Sequence, residues 1–126
     1  MVLVDTSVWV RFLAGRAPFA GGLDELLERG EVLAHELVQG ELLLGDRGGR
    51  PALLASYQKL LRAPTIPHQE VLELVRSRKL VGRGIGWIDA HLLGSALVAQ
   101  APLWTADARL AGLADELHIS HRATRT

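Results

Sequence analysis

The sequence predicts one α/β domain, a central parallel sheet of four to five short strands with helices on both faces. Three observations point there. Short apolar runs, at Val2-Leu3-Val4, Val32-Leu33-Ala34 and Leu103-Trp104, recur between segments of helical periodicity. None of these runs alternates apolar with polar, so each suits a strand covered on both sides. The length of 126 residues, at 48% apolar and mean hydropathy +0.17, fits a single domain over 1–126 with no internal repeat or linker.

The elements follow in order. After the strand Val2–Val4, Asp5-Thr6-Ser7 reads as a helix start before Val8-Trp9-Val10-Arg11-Phe12-Leu13, and Gly15 stops that helix. Leu23, Leu26 and Leu27 mark a second helix ending at Gly30, and the strand at 31–34 follows. A helix over Glu36–Leu44 places Leu37, Val38, Glu41, Leu42 and Leu44 on one face. Gly45–Pro51 is a turn cluster. Ala52–Leu61 is helical, with Leu53, Leu54, Tyr57, Leu60 and Leu61 inward. Thr65-Ile66-Pro67 holds at most a very short edge strand, since proline cannot donate to a ladder. Val71, Leu74, Val75 and Val81 mark a helix, and Gly82–Gly86 is a second loop. A strongly apolar helix runs from Ile88 to about Gln100, and the strand Leu103-Trp104 follows it. A short helix from Asp107 to Ala114 and a last strand at Leu117-His118-Ile119 precede a polar, fraying tail at 120–126.

Composition narrows the function classes. The absence of cysteine excludes a disulfide scaffold, a thiolate zinc site and a cysteine nucleophile. The counts of Lys+Arg and Asp+Glu are equal, 14 each, so the basic surplus common in nucleic-acid binders is missing. Residues 1–13 carry Asp5, no basic stretch and no small-residue cleavage site, which is unlike a signal peptide. No apolar run approaches the ~20 residues that span a bilayer. A soluble, cytoplasmic protein is expected. Twelve of the 14 basic residues are arginine, which suits a bacterial genome of high GC content.

The informative residues are acids where packing alone would not place them. Glu41 shares the apolar face of its helix with Leu37, Val38 and Leu44. Asp89 precedes Leu92, Leu93 and Ala96 at helical spacing. Asp5 ends the first strand, and Asp107 lies just past Leu103-Trp104. Asp5, Asp89 and Asp107 could equally cap helix starts, and Glu41 could snorkel to water. Jointly they say more. Strands of a parallel sheet end along one edge, where sites form. Four carboxylates gathered there would repel one another unless cations neutralised them. Hard divalent ions prefer oxygen ligands, so the donor set suggests Mg²⁺ or Mn²⁺ and phosphodiester chemistry.

The segments Val4-Asp5-Thr6-Ser7-Val8-Trp9, Val38-Gln39-Gly40-Glu41-Leu42, Ile88-Asp89-Ala90 and Trp104-Thr105-Ala106-Asp107 together resemble the PIN domain. More narrowly they are similar to the VapC toxins of bacterial toxin–antitoxin pairs, over nearly the whole chain. The resemblance implies a metal-dependent endoribonuclease that cleaves RNA with a metal-activated water, using Mg²⁺ or Mn²⁺. It places Asp5, Glu41, Asp89 and Asp107 on the family's acidic quartet, with Asp5, Glu41 and Asp89 holding a first metal and Asp107 supporting it or a second. Thr6, Ser7 and Thr105 fall on its hydroxyl positions. It further implies a VapB-type antitoxin over the cleft, a homodimer, and a tRNA, rRNA or mRNA substrate.

Other features weigh less. Arg47, Arg50, Arg76, Arg78, Lys79 and Arg83 lie in or beside the two loops, with Arg122 and Arg125 in the tail, and as a group they could contact phosphates. Trp9 and Trp87 read as core or interface, and His118 and His121 as structural or solvent-facing. Gly82–Gly86 lacks the dinucleotide-binding spacing. A haloacid-dehalogenase-like phosphohydrolase would also place an acid after strand one, but it wants a second Asp where Ser7 stands. A non-catalytic PIN module that only binds RNA or protein is the other alternative, although all four acids are present.

Overall fold

A computed structural model describes residues 1–46 and 50–122. Three short strands form the sheet: β1 (Val2–Val4), β2 (Val32–Leu33) and β3 (Leu103–Trp104), in the order β2-β1-β3 and all parallel. Val2 and Leu3 pair with Val32 and Leu33 on one side, and Leu3 and Val4 pair with Leu103 and Trp104 on the other. All seven strand residues are buried, as expected of strands covered on both faces. The helices are α1 (Thr6–Leu13), α2 (Phe19–Glu28), α3 (Glu36–Leu44), α4 (Pro51–Gln58), α5 (His68–Ser77), α6 (Trp87–Ala99) and α7 (Ala108–Glu116).

The sheet is narrower than the four to five strands expected. Two further segments join it by one bridge each, at Ala34 with Arg62 and at Leu103 with Ser120. The first replaces the strand expected at Thr65–Pro67. Ala34 donates to Leu61 and accepts from Ala63, both at 2.8 Å, while Pro64 and Pro67 have no N–H with which to continue the ladder. Consequently α4 stops at Gln58, and Leu61, expected inward, is 66% exposed. The last pairing also starts later than Leu117. The chain turns at His118, in the left-handed region at φ 60°, and pairs through Ile119 and His121 on either side of Ser120. The tail expected to fray from Ser120 is therefore tied to the sheet at its start, and 123–126 lie outside the described residues.

One core holds the layers together. Leu3, Val8, Trp9, Val38, Leu92, Leu93, Leu103 and Leu110 are among its fully buried members. Leu44, expected on the inward face of α3, is 88% exposed. That helix buries Val38 and Leu42 and turns its last residue outward. Gly94 in the middle of α6 has a packing reason. A Cβ there would stand 2.0 Å from Ile66 Cδ1 and 3.3 Å from Leu74 Cδ2, so the glycine lets α5 and the 64–67 segment close on α6. No helix among the described residues is long and apolar enough to cross a membrane.

Candidate active site

The order β2-β1-β3 puts the switch point of the chain's winding at β1, and parallel α/β sheets form their crevice beyond the strand ends at such a point. Asp5 is the residue that follows β1. Thr105–Asp107 follow β3 next door, and α3 leaves from the end of β2.

Asp5 is 5% exposed and occupies the N-cap position of α1, yet its side chain makes no capping bond. Its Oδ2 accepts instead from two hydroxyls, Ser7 Oγ at 2.6 Å and Thr105 Oγ1 at 2.8 Å. Each hydroxyl is in turn held by a main-chain donor, Ala106 N–H on Ser7 (2.9 Å) and Asp107 N–H on Thr105 (3.0 Å). Both hydroxyl protons point at the carboxylate, so two short chains of polarised donors converge on one oxygen. Glu41, in the second turn of α3, accepts at Oε1 from Thr6 Oγ1 at 2.6 Å. Asp89, in the first turn of α6, reaches back to accept at Oδ2 from Gly86 N–H at 3.1 Å. Asp107 is a true cap, with Oδ1 accepting from Arg109 and Leu110 N–H at 2.9 and 3.1 Å.

A common pattern runs through the four. Each carboxylate has one oxygen tied by the protein, while its second oxygen has no hydrogen-bond partner among the described residues. The four also feel one another. Burial raises the pKa of Asp89 above its ordinary value, the Gly86 N–H opposes that shift, and the charges of Asp5, Asp107 and Glu41 raise it further. Among the described residues no three His, Asp or Glu side chains close into a compact ligand cluster. Asp89 thus stands within electrostatic reach of the other three acids, which gather near the sheet's switch point without closing into one cluster. Such a donor set fits Mg²⁺ or Mn²⁺, which takes one or two carboxylates and completes its shell with water and phosphate oxygen.

The basic residues are less concentrated than the acids. Arg83 is ion-paired with Glu116 of α7, which spends its charge within the protein. Arg76, Arg78 and Lys79 are exposed at the carboxyl end of α5, where cations complement the helix dipole. Arg50 stands at the start of α4, and Arg47 and Arg125 lie outside the described residues. Arg122 pairs with Asp115. Trp9 is buried, with its ring edge-on to Tyr57 and Phe12. Trp87 is 40% exposed between the rings of His68 and His91. His118 is exposed, and His121 packs on Trp104.

Two residues of the site's surroundings give no clear signal in the sequence. Arg109 lies across Gly84, whose missing Cβ would stand 2.8 Å from Arg109 Cδ and whose φ is +82°. This contact braces the loop leading to Gly86 and Asp89 against α7. His35 is wholly buried and caps α3 through Nδ1, which accepts from Leu37 N–H at 3.1 Å. A histidine before a helix gives little capping signal in sequence, because Ser, Thr, Asp and Asn dominate that position. Beside the acids, an apolar groove of about 370 Å³ opens between α1, α3 and α4, lined by Val10, Leu13, Leu42, Leu53 and Leu54 and reaching Glu41.

Comparison with known proteins agrees with this architecture. The PIN domain family matches residues 2–116. Ribonuclease VapC32 of Mycobacterium tuberculosis is 50% identical over 111 residues, 87% of this chain and 87% of the relative. Ribonuclease VapC19 of the same organism is 32% identical over 114 residues, covering 86% and 90%. Among solved structures, PAE2754 from Pyrobaculum aerophilum superposes with a TM-score of 0.56 at 20% identity, covering 89% of this chain and 78% of its own, which speaks to the fold.

Proposed function

The chain belongs to the PIN domain family, and from that premise we propose that it is a Mg²⁺- or Mn²⁺-dependent endoribonuclease, the toxin of a toxin–antitoxin pair. The observation that carries this reading is that Asp89 feels the charges of Asp5, Asp107 and Glu41, each of the four having one oxygen tied and one without a partner among the described residues. The naming of two similar chains as VapC ribonucleases supports it. Capping alone accounts for Asp107 but leaves Asp5 and Glu41 unexplained.

The roles follow from the bonds. Asp5, Glu41 and Asp89 would hold the cation, and Asp107 would support it or a second one. A bound divalent cation supplies a Lewis acid that lowers the pKa of water and neutralises charge on phosphate. Thr6 fixes the Glu41 rotamer, while Ser7 and Thr105 fix Asp5 and lower the cost of its negative charge in a buried position. We read residues 1–126 as one such domain acting on RNA in the cytoplasm, with the weakly placed arginines meeting phosphates at the cleft's margin.

The apolar groove beside Glu41 suits an amphipathic segment of a VapB-type antitoxin, whose docking would close the approach to the acids. Exposed Leu43, Leu44, Leu61 and Val98 supply apolar surface that a homodimer would cover.

Purified protein on a tRNA and rRNA panel tests the reading, with Mg²⁺ or Mn²⁺ against EDTA. Cleavage should require the cation. Asp5→Asn should lower the rate by roughly 10²–10³-fold or more, as removing a group that organises transition-state charge does, with the circular dichroism spectrum unchanged. Cleavage by Asp5→Asn at the wild-type rate would end this assignment.

A further inference from the structure

His35 is a buried ionisable side chain outside the acidic cleft, and all of its polar atoms are engaged. Its Nδ1 accepts from Leu37 N–H at 3.1 Å, so that nitrogen carries no proton. The neutral ring must then hold its proton on Nε2, which lies 2.9 Å from Ser95 Oγ and donates to it. The main chain of His35 is gripped as well. Its N–H donates to the Tyr57 hydroxyl at 2.9 Å, and that hydroxyl donates back to the His35 carbonyl at 3.3 Å. One residue thus ties the start of α3 to the middle of α6 and to α4.

The helices so joined are those that bear the acids. Glu41 stands six residues beyond His35 on α3, and Asp89 stands six residues before Ser95 on α6. Their separation depends on how α3 and α6 are held, and among the described residues His35–Ser95 is a side-chain hydrogen bond that spans the two helices directly. His35 and Ser95 are both 0% exposed, so solvent does not compete for the bond.

The proton arrangement is fixed by its surroundings. Burial holds the imidazole below its ordinary pKa; of the charged and titratable groups facing the ring, Glu36 on α3 opposes that shift and His91 on α6 adds to it. Burial pushes Tyr57 on α4 up to about 12 against the opposing effects of its bond to His35 and of Arg62, so it stays a donor. A proton on Nδ1 would face the Leu37 N–H and put positive charge at the positive end of the α3 dipole.

We infer that neutral His35, through Ser95, is the positioning residue that sets the spacing of Glu41 and Asp89 and thereby the affinity of the cleft for a divalent cation. This rests on the metal-nuclease reading. Residues outside the ligand set that orient it typically change metal affinity by ~10–100-fold when removed.

The test uses full-length protein and Mn²⁺ as the probe, with calorimetric binding and RNA cleavage measured across Mn²⁺ concentrations. Ser95→Ala removes the tie and leaves the cap on α3. It should weaken Mn²⁺ binding by ~10-fold or more, while cleavage at saturating Mn²⁺ stays within about twofold of wild type. His35→Asn, which keeps an acceptor for the cap but cannot span to Ser95, should behave as Ser95→Ala does. A merely structural residue would lower thermal stability without that split. Ring ¹H–¹⁵N spectra of the wild type should show the His35 proton on Nε2, a measurement that needs no variant. The inference is overturned if Ser95→Ala folds and binds Mn²⁺ as wild type does, or if the proton sits on Nδ1. Wild-type protein that bound no Mn²⁺ would instead remove the metal-site reading, and this inference with it.

Discussion

Asp89 is the carboxylate on which the crowding of the cleft falls most visibly. Folding half-buries it and brings Asp5, Asp107 and Glu41 near, and only the Gly86 N–H offsets this. An acid whose pKa is raised by folding contributes unfavourably while ionised, and that penalty fades as pH falls through its folded value. Asp89→Asn keeps an acceptor for Gly86 and removes the charge. In metal-free protein at pH 7 it should therefore raise Tm by roughly 2–5 °C, the shift that ~1 kcal/mol produces in a chain of this size, while cleavage is lost. The gap in Tm should close as the pH is lowered, because the wild type then takes up the proton itself. A lower Tm for Asp89→Asn at pH 7, measured in EDTA, would contradict the assigned electrostatics. Such single residues are legible in the sequence to different degrees. Glu41 stands out because no cap explains a mid-helix acid on an apolar face. Asp5 and Asp107 look alike in sequence, and only the hydrogen bonds separate them, Asp107 to α7 N–H groups and Asp5 to two hydroxyls. His35 is silent in the sequence because its role lies in hydrogen bonds with residues 22 and 60 positions away.

At the scale of elements, α6 carries Asp89 at its first turn, Ser95 in its interior and Gly94 where the chain packs most tightly. Alanine is the better helix former, by about 1 kcal/mol in an exposed helix, so Gly94→Ala on propensity alone would stabilise. The structure reverses that sign. The added methyl meets Ile66 and Leu74, and Ile66 Cδ1 can swing away only in part because its Cγ1 and the Leu74 Cδ2 both stand at 3.3 Å. Overfilling of this kind costs ~1–3 kcal/mol, and urea denaturation of Gly94→Ala should show a net loss of up to about 2 kcal/mol after the propensity gain. A midpoint at or above wild type would mean that α5 yields readily to the extra methyl. The existence of the seven helices is readable from periodicity, and the bounds of α3 agree with the expected Glu36–Leu44. The edge segments are not readable. Whether 61–63 or 65–67 pairs with Ala34 depends on which N–H and C=O meet the sheet, and that is settled by tertiary placement, with Pro64 and Pro67 excluding the later segment.

For the whole molecule, the zero net charge hides a partition. With Asp5, Glu41, Asp89 and Asp107 set apart as the proposed ligand group, ten acids remain against 14 basic residues over the rest of the chain, an excess of four. Some of that excess is committed internally, as Arg83 to Glu116 and Arg122 to Asp115 show, so the field that meets RNA is weaker than the count. The partition makes salt act in opposite directions on two observables. Inside the cleft the carboxylates repel, and salt relieves that repulsion because the Debye length shortens from about 30 Å at 0.01 M to about 10 Å at 0.1 M. Outside it, phosphates are held by cations, and salt lowers that affinity with a logarithmic slope of about −0.7 per neutralised phosphate on a single strand. Metal-free protein in EDTA should thus gain a little thermal stability as NaCl rises from 50 to 200 mM. Over the same range its affinity for a single-stranded RNA oligonucleotide should fall by up to ~50-fold if four phosphates are neutralised, and by less where internal pairs reduce that number. Mn²⁺ held by the proposed ligand group would relieve that repulsion at a specific site, so stability should then rise with cation concentration as mass action requires, by about 2.7 kcal/mol at a hundred times Kd. Salt that left RNA affinity unchanged, or lowered the stability of the metal-free protein, would show that the charges are not divided in this way.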